Sequence, residues 1–171
     1  MANSLFKPFN MEDGIFLNNY VLHKSSFKDF WKWRKESNKP QPISFPVVKN
    51  NPSYLKSNKS EKTITWVGHS TFLIQIDGIN VLTDPHFTKR ASPLSFMGPT
   101  RTTPPGLNMD DLPFIDLVLI SHNHYDHLDA KTIKLLLKKQ NINQPIFFVP
   151  LKLKETISKL GASSVIEYEW W

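Results

Sequence analysis

From residue 63 onward the apolar positions fall in short β-branched and aromatic runs separated by turn residues, a texture of strands. Strands are expected over 63–67, 71–76 and 79–83. Asp77-Gly78 joins the last two as a hairpin turn, because Gly tolerates positive φ. A long loop rich in Pro and Gly follows over 84–113. The run Phe114-Ile115-Asp116-Leu117-Val118-Leu119-Ile120 is almost continuously apolar, as in a central strand buried on both faces, and 121–129 leaves its C-terminal end. At 130–140 the period turns helical, with Ile133, Leu136 and Leu137 on one face and Lys134, Lys138 and Lys139 opposite. A second buried strand is expected over 146–149. Pro150 should then open a helix carrying Leu153, Ile157 and Leu160 with Gly161 at its C-terminal turn, and a third strand should occupy 164–168. Strand and helix alternating after an antiparallel start imply an α/β fold with a mixed sheet.

The first third has a different pattern. Over 26–36, Phe27, Phe30 and Trp31 recur at helical spacing among lysines and Arg34, a short amphipathic helix. Its aromatic face is expected to dock on the body, with a membrane-surface helix as the alternative. Four prolines, Pro40, Pro42, Pro46 and Pro52, make 39–60 read as an irregular connector. Residues 1–60 thus form an N-terminal extension and 61–171 the body.

Charge sharpens that division. The net charge is +6, and residues 1–60 hold ten basic and four acidic groups, leaving eleven of each in the remainder. The excess suits solubility and is compatible with an anionic lipid surface; nucleic acid is not favoured. The absence of cysteine excludes disulfides, cysteine nucleophiles and thiolate metal sites, so any metal must be held by His, Asp or Glu. No apolar run reaches the roughly 18 residues of a membrane span, and 1–14 has no apolar stretch of signal-peptide length. The expected location is the cytoplasm, with peripheral membrane contact open.

Three of the six histidines lie in Ser121-His122-Asn123-His124-Tyr125-Asp126-His127-Leu128-Asp129. Imidazoles at i and i+2 of extended chain project to one side, and Asp126-His127 can reach round the turn to an adjacent point. Nitrogen and carboxylate donors in two nearby clusters suit two metals bridged by water. The competing reading has Asp126 capping a helix that starts near Leu128, with the histidines solvated.

His-x-His-x-Asp-His after a hydrophobic strand resembles the metal motif of the metallo-β-lactamase superfamily. Trp66-Val67-Gly68-His69-Ser70-Thr71, Leu82-Thr83-Asp84-Pro85, Arg90-Ala91-Ser92-Pro93, Met97-Gly98-Pro99 and Phe148-Val149-Pro150-Leu151 are similar to the branch containing the N-acyl-phosphatidylethanolamine-hydrolysing phospholipase D. The resemblance implies that the chain is the N-terminal αβ half of an αβ/βα sandwich. It also implies two zinc ions as cofactor and hydrolysis of a phospholipid-like phosphodiester. Carried over, His122 and His124 would hold the first zinc and Asp126 and His127 the second, with Asp126 also orienting the attacking water. Asp84 would support the metal loop from behind, against the plainer reading of a turn Asp before Pro85. His69 would lie near the site, against the plainer reading of a loop histidine bonded to backbone. Asn123, Tyr125 and Asp129 would shape the loop.

The family's pattern also has a further His for the first zinc, a bridging Asp and a final His downstream, whereas no His follows His127. Each metal would keep two ligands from this chain, fewer than the usual three. Asp129, Glu155, Glu167 and Glu169 are not placed to replace the missing ones. The stretch Glu167-Tyr168-Glu169-Trp170-Trp171 follows a strand with no closing helix, so the chain reads as interrupted, with a missing C-terminal half or self-association covering its sheet. Three readings follow: a zinc phosphodiesterase of which this is one half, a non-catalytic remnant, and, last, a basic module for lipid headgroups or nucleic acid.

Overall fold

The computed structural model describes residues 26–37, 48–94 and 96–169, with 43, 46 and the two short strands β1 (Met11–Glu12) and β2 (Ile15–Phe16). The chain forms two compact units, Met1–Pro42 with Glu169–Trp171, and Ile43–Tyr168. The two terminal tryptophans lie outside the described residues. Among the described residues no helix is long and apolar enough to cross a membrane.

In the first unit β1 and β2 pair antiparallel, Met11 opposite Phe16. Helix α1 (Phe27–Glu36) is set by a capping box: Ser26 Oγ accepts from the Asp29 amide, and the Asp29 carboxylate accepts from the Ser26 amide at 2.8 Å. No residue of α1 is buried and Phe27 is 75% exposed. The rings pack on one another, Phe27 stacking on Phe30 at 6.1 Å and meeting Trp31 edge-on at 6.0 Å.

The second unit is a six-stranded mixed sheet in chain order: β3 (Thr63–Gly68), β4 (Thr71–Ile76), β5 (Ile79–Thr83), β6 (Leu117–Leu119), β7 (Ile146–Pro150) and β8 (Val165–Tyr168). β3, β4 and β5 pair antiparallel, and β5 to β8 pair parallel. The hairpin sits where Asp77-Gly78 demanded it, with φ of 50° and 80° at its two central residues, as the right-handed strand twist prefers. Two βαβ units through α3 (Ala130–Lys139) and α4 (Lys154–Lys159) build β6 to β8, and the long loop after β5 brings β6 back parallel to it.

Three boundaries differ from expectation. The central strand is three residues long, not seven, because side-chain amides replace the ladder before it. Gln140 accepts from the Ile115 amide and donates to the Ile115 carbonyl, both at 2.9 Å, and Asn80 Nδ2 donates to the Phe114 carbonyl at 2.7 Å. Pro150 ends β7 rather than opening a helix; α4 starts at Lys154, after Lys152 has turned the chain at φ 71°. Within the stretch read as a connector, helix α2 (Pro52–Ser57) forms, Asn51 Oδ1 accepting from the Tyr54 amide and Pro52 filling the first turn, and it buries Leu55.

One face of the sheet carries the core. Leu73, Leu82, Val118, Phe147 and Val165 stand side by side across five strands and join Ile133, Leu136 and Ile157 of the helices in one cluster. The neighbouring row, one residue on, points the other way: Thr83, Leu119, Phe148 and Ile166.

Candidate metal centre

The site gathers at one edge of the sheet, where β5 and β6 end and β3 turns into β4. Backbone there is held in uncommon shapes. A bulge between Trp66 and Gly68 precedes His69 at φ 52°, and Asp84, just after β5, sits at φ 37°. Such conformations persist where the surroundings over-determine them. Thr71 Oγ1 donates to the Asp84 carbonyl and Thr83 Oγ1 to the Ser70 carbonyl, each at 2.8 Å. The Asp84 amide donates to Leu119, tying β5 to β6, and the Trp66 indole donates to the His69 carbonyl at 2.9 Å.

With its backbone fixed, the buried Asp84 carboxylate faces the start of the histidine loop. It accepts from the Ser121 amide and hydroxyl, both at 2.7 Å, and lies 2.9 Å from His127 Nδ1. A carboxylate on Nδ1 fixes the ring and leaves Nε2 for a ligand. A tight turn closed by the His127 and Leu128 amides on the His124 carbonyl folds Asp126 and His127 back toward His122. Asp129, not Asp126, caps the following helix: its Oδ1 accepts from the Lys131 and Thr132 amides, while Oδ2 takes the Thr88 and Thr132 hydroxyls at 2.7 Å each. Asn123 and Tyr125 point into solvent.

The four motif residues come together. His122 Nε2 is 3.0 Å from His124 Nδ1, and the His122 and His127 ring centres are 4.0 Å apart. His127 Nε2 is 3.7 Å from the Asp126 carboxylate. His69, expected only near the site, meets Asp126 at 2.9 Å, and His69, Asp126 and His127 present three ligand atoms within 4.8 Å of one another. Partial burial pushes the His122 pKa down, aided by the His127 and His124 rings beside it, which favours the neutral imidazole a metal needs. Burial opposes ionisation of Asp126, but its own backbone N–H and the His127 and His69 imidazoles outweigh that and hold the carboxyl below its ordinary value. Imidazole nitrogens and an ionised carboxylate are donors that a divalent transition metal accepts.

Beside this cluster opens a cavity of about 710 Å³ whose wall includes Trp66, His69, His86, Arg101 and Asp126. His86 and Arg101 were not singled out by the sequence. Each sits in the long loop without a motif of its own, and only Gly68, in the block before His69, hinted that something must lie close to that strand.

The family described as "Beta-lactamase superfamily domain" matches residues 63–166. An uncharacterized protein of Mycobacterium tuberculosis (strain ATCC 25618 / H37Rv) is 33% identical over 94% of this chain and 44% of its own length. The N-acyl-phosphatidylethanolamine-hydrolyzing phospholipase D 1 of Caenorhabditis elegans is 43% identical over 62% of this chain and 31% of its own. The chain therefore spans less than half the length of these relatives. Among solved structures, a possible metal-dependent hydrolase from Veillonella parvula shares the fold at a TM-score of 0.50 and 24% identity, over 63% of this chain and 42% of that one. The sheet, the histidine loop at its edge and the matched residues agree: the chain belongs to the metallo-β-lactamase superfamily.

Proposed function

We propose that the chain supplies part of the site of a zinc-dependent hydrolase that cleaves the phosphodiester of an N-acylated phosphatidylethanolamine or a similar lipid. The observation that carries this reading is the convergence of His122, His124, Asp126 and His127 at the end of β6, beside a half-apolar cavity. The likeness to the nematode enzyme supports the substrate class. His122 and His124 would hold one ion and Asp126 and His127 the other. When bound, zinc supplies Lewis acidity and a water acidified toward neutral pH. Asp84 keeps the His127 ring turned outward, and His69 keeps the Asp126 carboxylate in the position from which it would orient the attacking water. No side-chain nucleophile is required.

These donors are fewer than two ions with three protein ligands each need. The reading therefore calls for donors from beyond residues 1–171, on polypeptide continuing from them or on a second chain. It also places the protein in the cytoplasm with peripheral contact to anionic lipid, supported by the exposed aromatic rings of α1 among Lys28, Lys32, Arg34 and Lys35. The test is zinc content and turnover of N-acyl-phosphatidylethanolamine vesicles, by residues 1–171 alone and with a segment supplying the further ligands. Background turnover alone, and zinc-dependent turnover on complementation that His122→Ala abolishes, is the expected result. Turnover by residues 1–171 alone would overturn the donor count, and none under any condition would leave a non-catalytic metal-binding remnant.

A further inference from the structure

The cavity beside the histidine cluster contains a cation with no carboxylate in contact with it; Asp129 acts on it only from a distance. Arg101 Nη2 donates to His86 Nδ1 at 2.9 Å and, closer still, to the His86 carbonyl. Among the described residues no carboxylate lies within ion-pair distance of its guanidinium, Nη1 has no hydrogen-bond partner, and the buried Nε has none either. Nδ1 of His86 accepts, so that ring carries its proton on Nε2, which is likewise buried without a partner. Gly68 leaves room for the guanidinium: a Cβ there would lie 2.7 Å from Arg101 Nη1 and would push it off the strand at the cavity wall. Asp126, the carboxylate at this cavity, is already engaged by His69.

A half-buried guanidinium whose nearest acidic influence, Asp129, is already taken up by the Thr88 and Thr132 hydroxyls and the α3 amides is costly unless an anion completes it. Its planar fork matches phosphoryl oxygens better than a point charge does. The wall is mixed: Trp66, Val48, Pro46 and Pro99 form an apolar part, beside threonines at 65, 100, 102 and 103. A volume of about 710 Å³ suits an organic ligand rather than a bare ion. We infer that this cavity is the subsite for an organic phosphoester, Arg101 taking an anionic phosphoryl oxygen and the wall around Trp66 taking the apolar part of the ester. The inference rests on the hydrolase reading and names the residue that orients its substrate; Arg101 binds, and bond cleavage stays with the histidine cluster.

The test is calorimetric titration of the 171-residue chain with diphenyl phosphate, its neutral methyl ester and inorganic phosphate, with zinc and again after EDTA. Diphenyl phosphate should bind about 10- to 100-fold more tightly than the neutral ester, the range for a hydrogen bond to a charged group. Arg101→Gln should remove that preference, Arg101→Lys should keep part of it, and Gly68→Ala should weaken it by displacing the guanidinium. Equal affinity of the charged and neutral esters for the unmodified chain overturns the assignment even if the variants fail to fold. Inorganic phosphate binding as tightly as the ester overturns its apolar half. Charge-selective binding that depends on Arg101, with no hydrolysis under any condition, supports the subsite and removes the hydrolase reading. Hydrolysis with an unchanged Arg101→Gln affinity does the reverse.

Discussion

The two faces of the six-stranded sheet carry similar side chains and meet different surroundings. On one, Leu73, Leu82, Val118 and Phe147 are fully buried among the helices of the two βαβ units. On the other, Ile64 is 72% exposed, Trp66 50%, Ile166 41% and Tyr168 56%, although all four are large apolar or aromatic side chains. Local connections cover the first face, since a βαβ crossover lays its helix back on the strands it joins. Only something distant in sequence or on another chain can cover the second. Leu117-Val118-Leu119 has the composition of a strand between two layers, while Leu119 stands 38% open. A second layer bringing the further metal donors proposed above would lie on this face.

The largest effect should separate the faces directly. Phe147→Ala empties a site with no exposure and should cost about 3–5 kcal/mol, whereas Ile64→Ala on the open face should stay within about 0.5 kcal/mol. Urea denaturation of both variants checks this. An Ile64→Ala cost of several kcal/mol would mean that the outer face is already packed in solution.

Next comes the site edge, which the covered face holds rigid. Asp84→Asn keeps the shape of the side chain but weakens its hold on His127 Nδ1, and zinc affinity should fall by about 10- to 100-fold. Competition with a chromophoric chelator measures it. An unchanged affinity would reduce Asp84 to a turn residue before Pro85, the plainer reading its sequence context allowed.

Much of this was legible in the sequence, and the reasons differ by element. The hairpin at Asp77-Gly78 and helix α3 were legible because one turn dipeptide and one 3.6-residue period each fix local geometry. The histidine loop was legible because its donors are consecutive in the chain. Helix α2 was hidden by the prolines around it, one of which, Pro52, opens the helix. The true length of β6 was hidden because Gln140 and Asn80, 25 and 34 residues away, supply the bonds that end it. Arg101 was invisible for the same reason: its meaning comes from Gly68 and His86, which only the folded loop brings against it.

Acid should act next, on the groups that surround the site. His86 is buried, and burial first, then Arg101, pushes its pKa below the ordinary value, with Asp129 opposing. The unfolded chain takes up a proton near pH 6.5 that the folded chain refuses. Stability from this group is therefore full above about pH 6.5 and is lost as the pH falls toward the lowered folded value. His122 shifts in the same direction, and Asp126 adds a further loss below the ordinary carboxylate range. Thermal melting from pH 8 to pH 5 should show a falling Tm, less steep in His86→Gln, whose amide oxygen can still accept from Arg101. A Tm that rises on acidification would mean that His86 is charged in the folded protein.

The smallest expected change in stability carries the sharpest test of the open face. Ile166 stands in the row of Leu119 and Phe148 and is 41% exposed, so replacing it with Lys removes little buried contact and should change the unfolding free energy, read from urea denaturation, by no more than about 0.5 kcal/mol. An apolar row of this extent drives association when nothing covers it. Light scattering of residues 1–171 should therefore report species larger than a monomer, and Ile166→Lys should shift them toward the monomer, because a charge that association must bury opposes it. The comparison fails in two ways. A monomeric parent chain would show that water covers this face without penalty, and an Ile166→Lys variant as associated as its parent would place the sticky surface elsewhere, with the exposed rings of α1 the next to be changed.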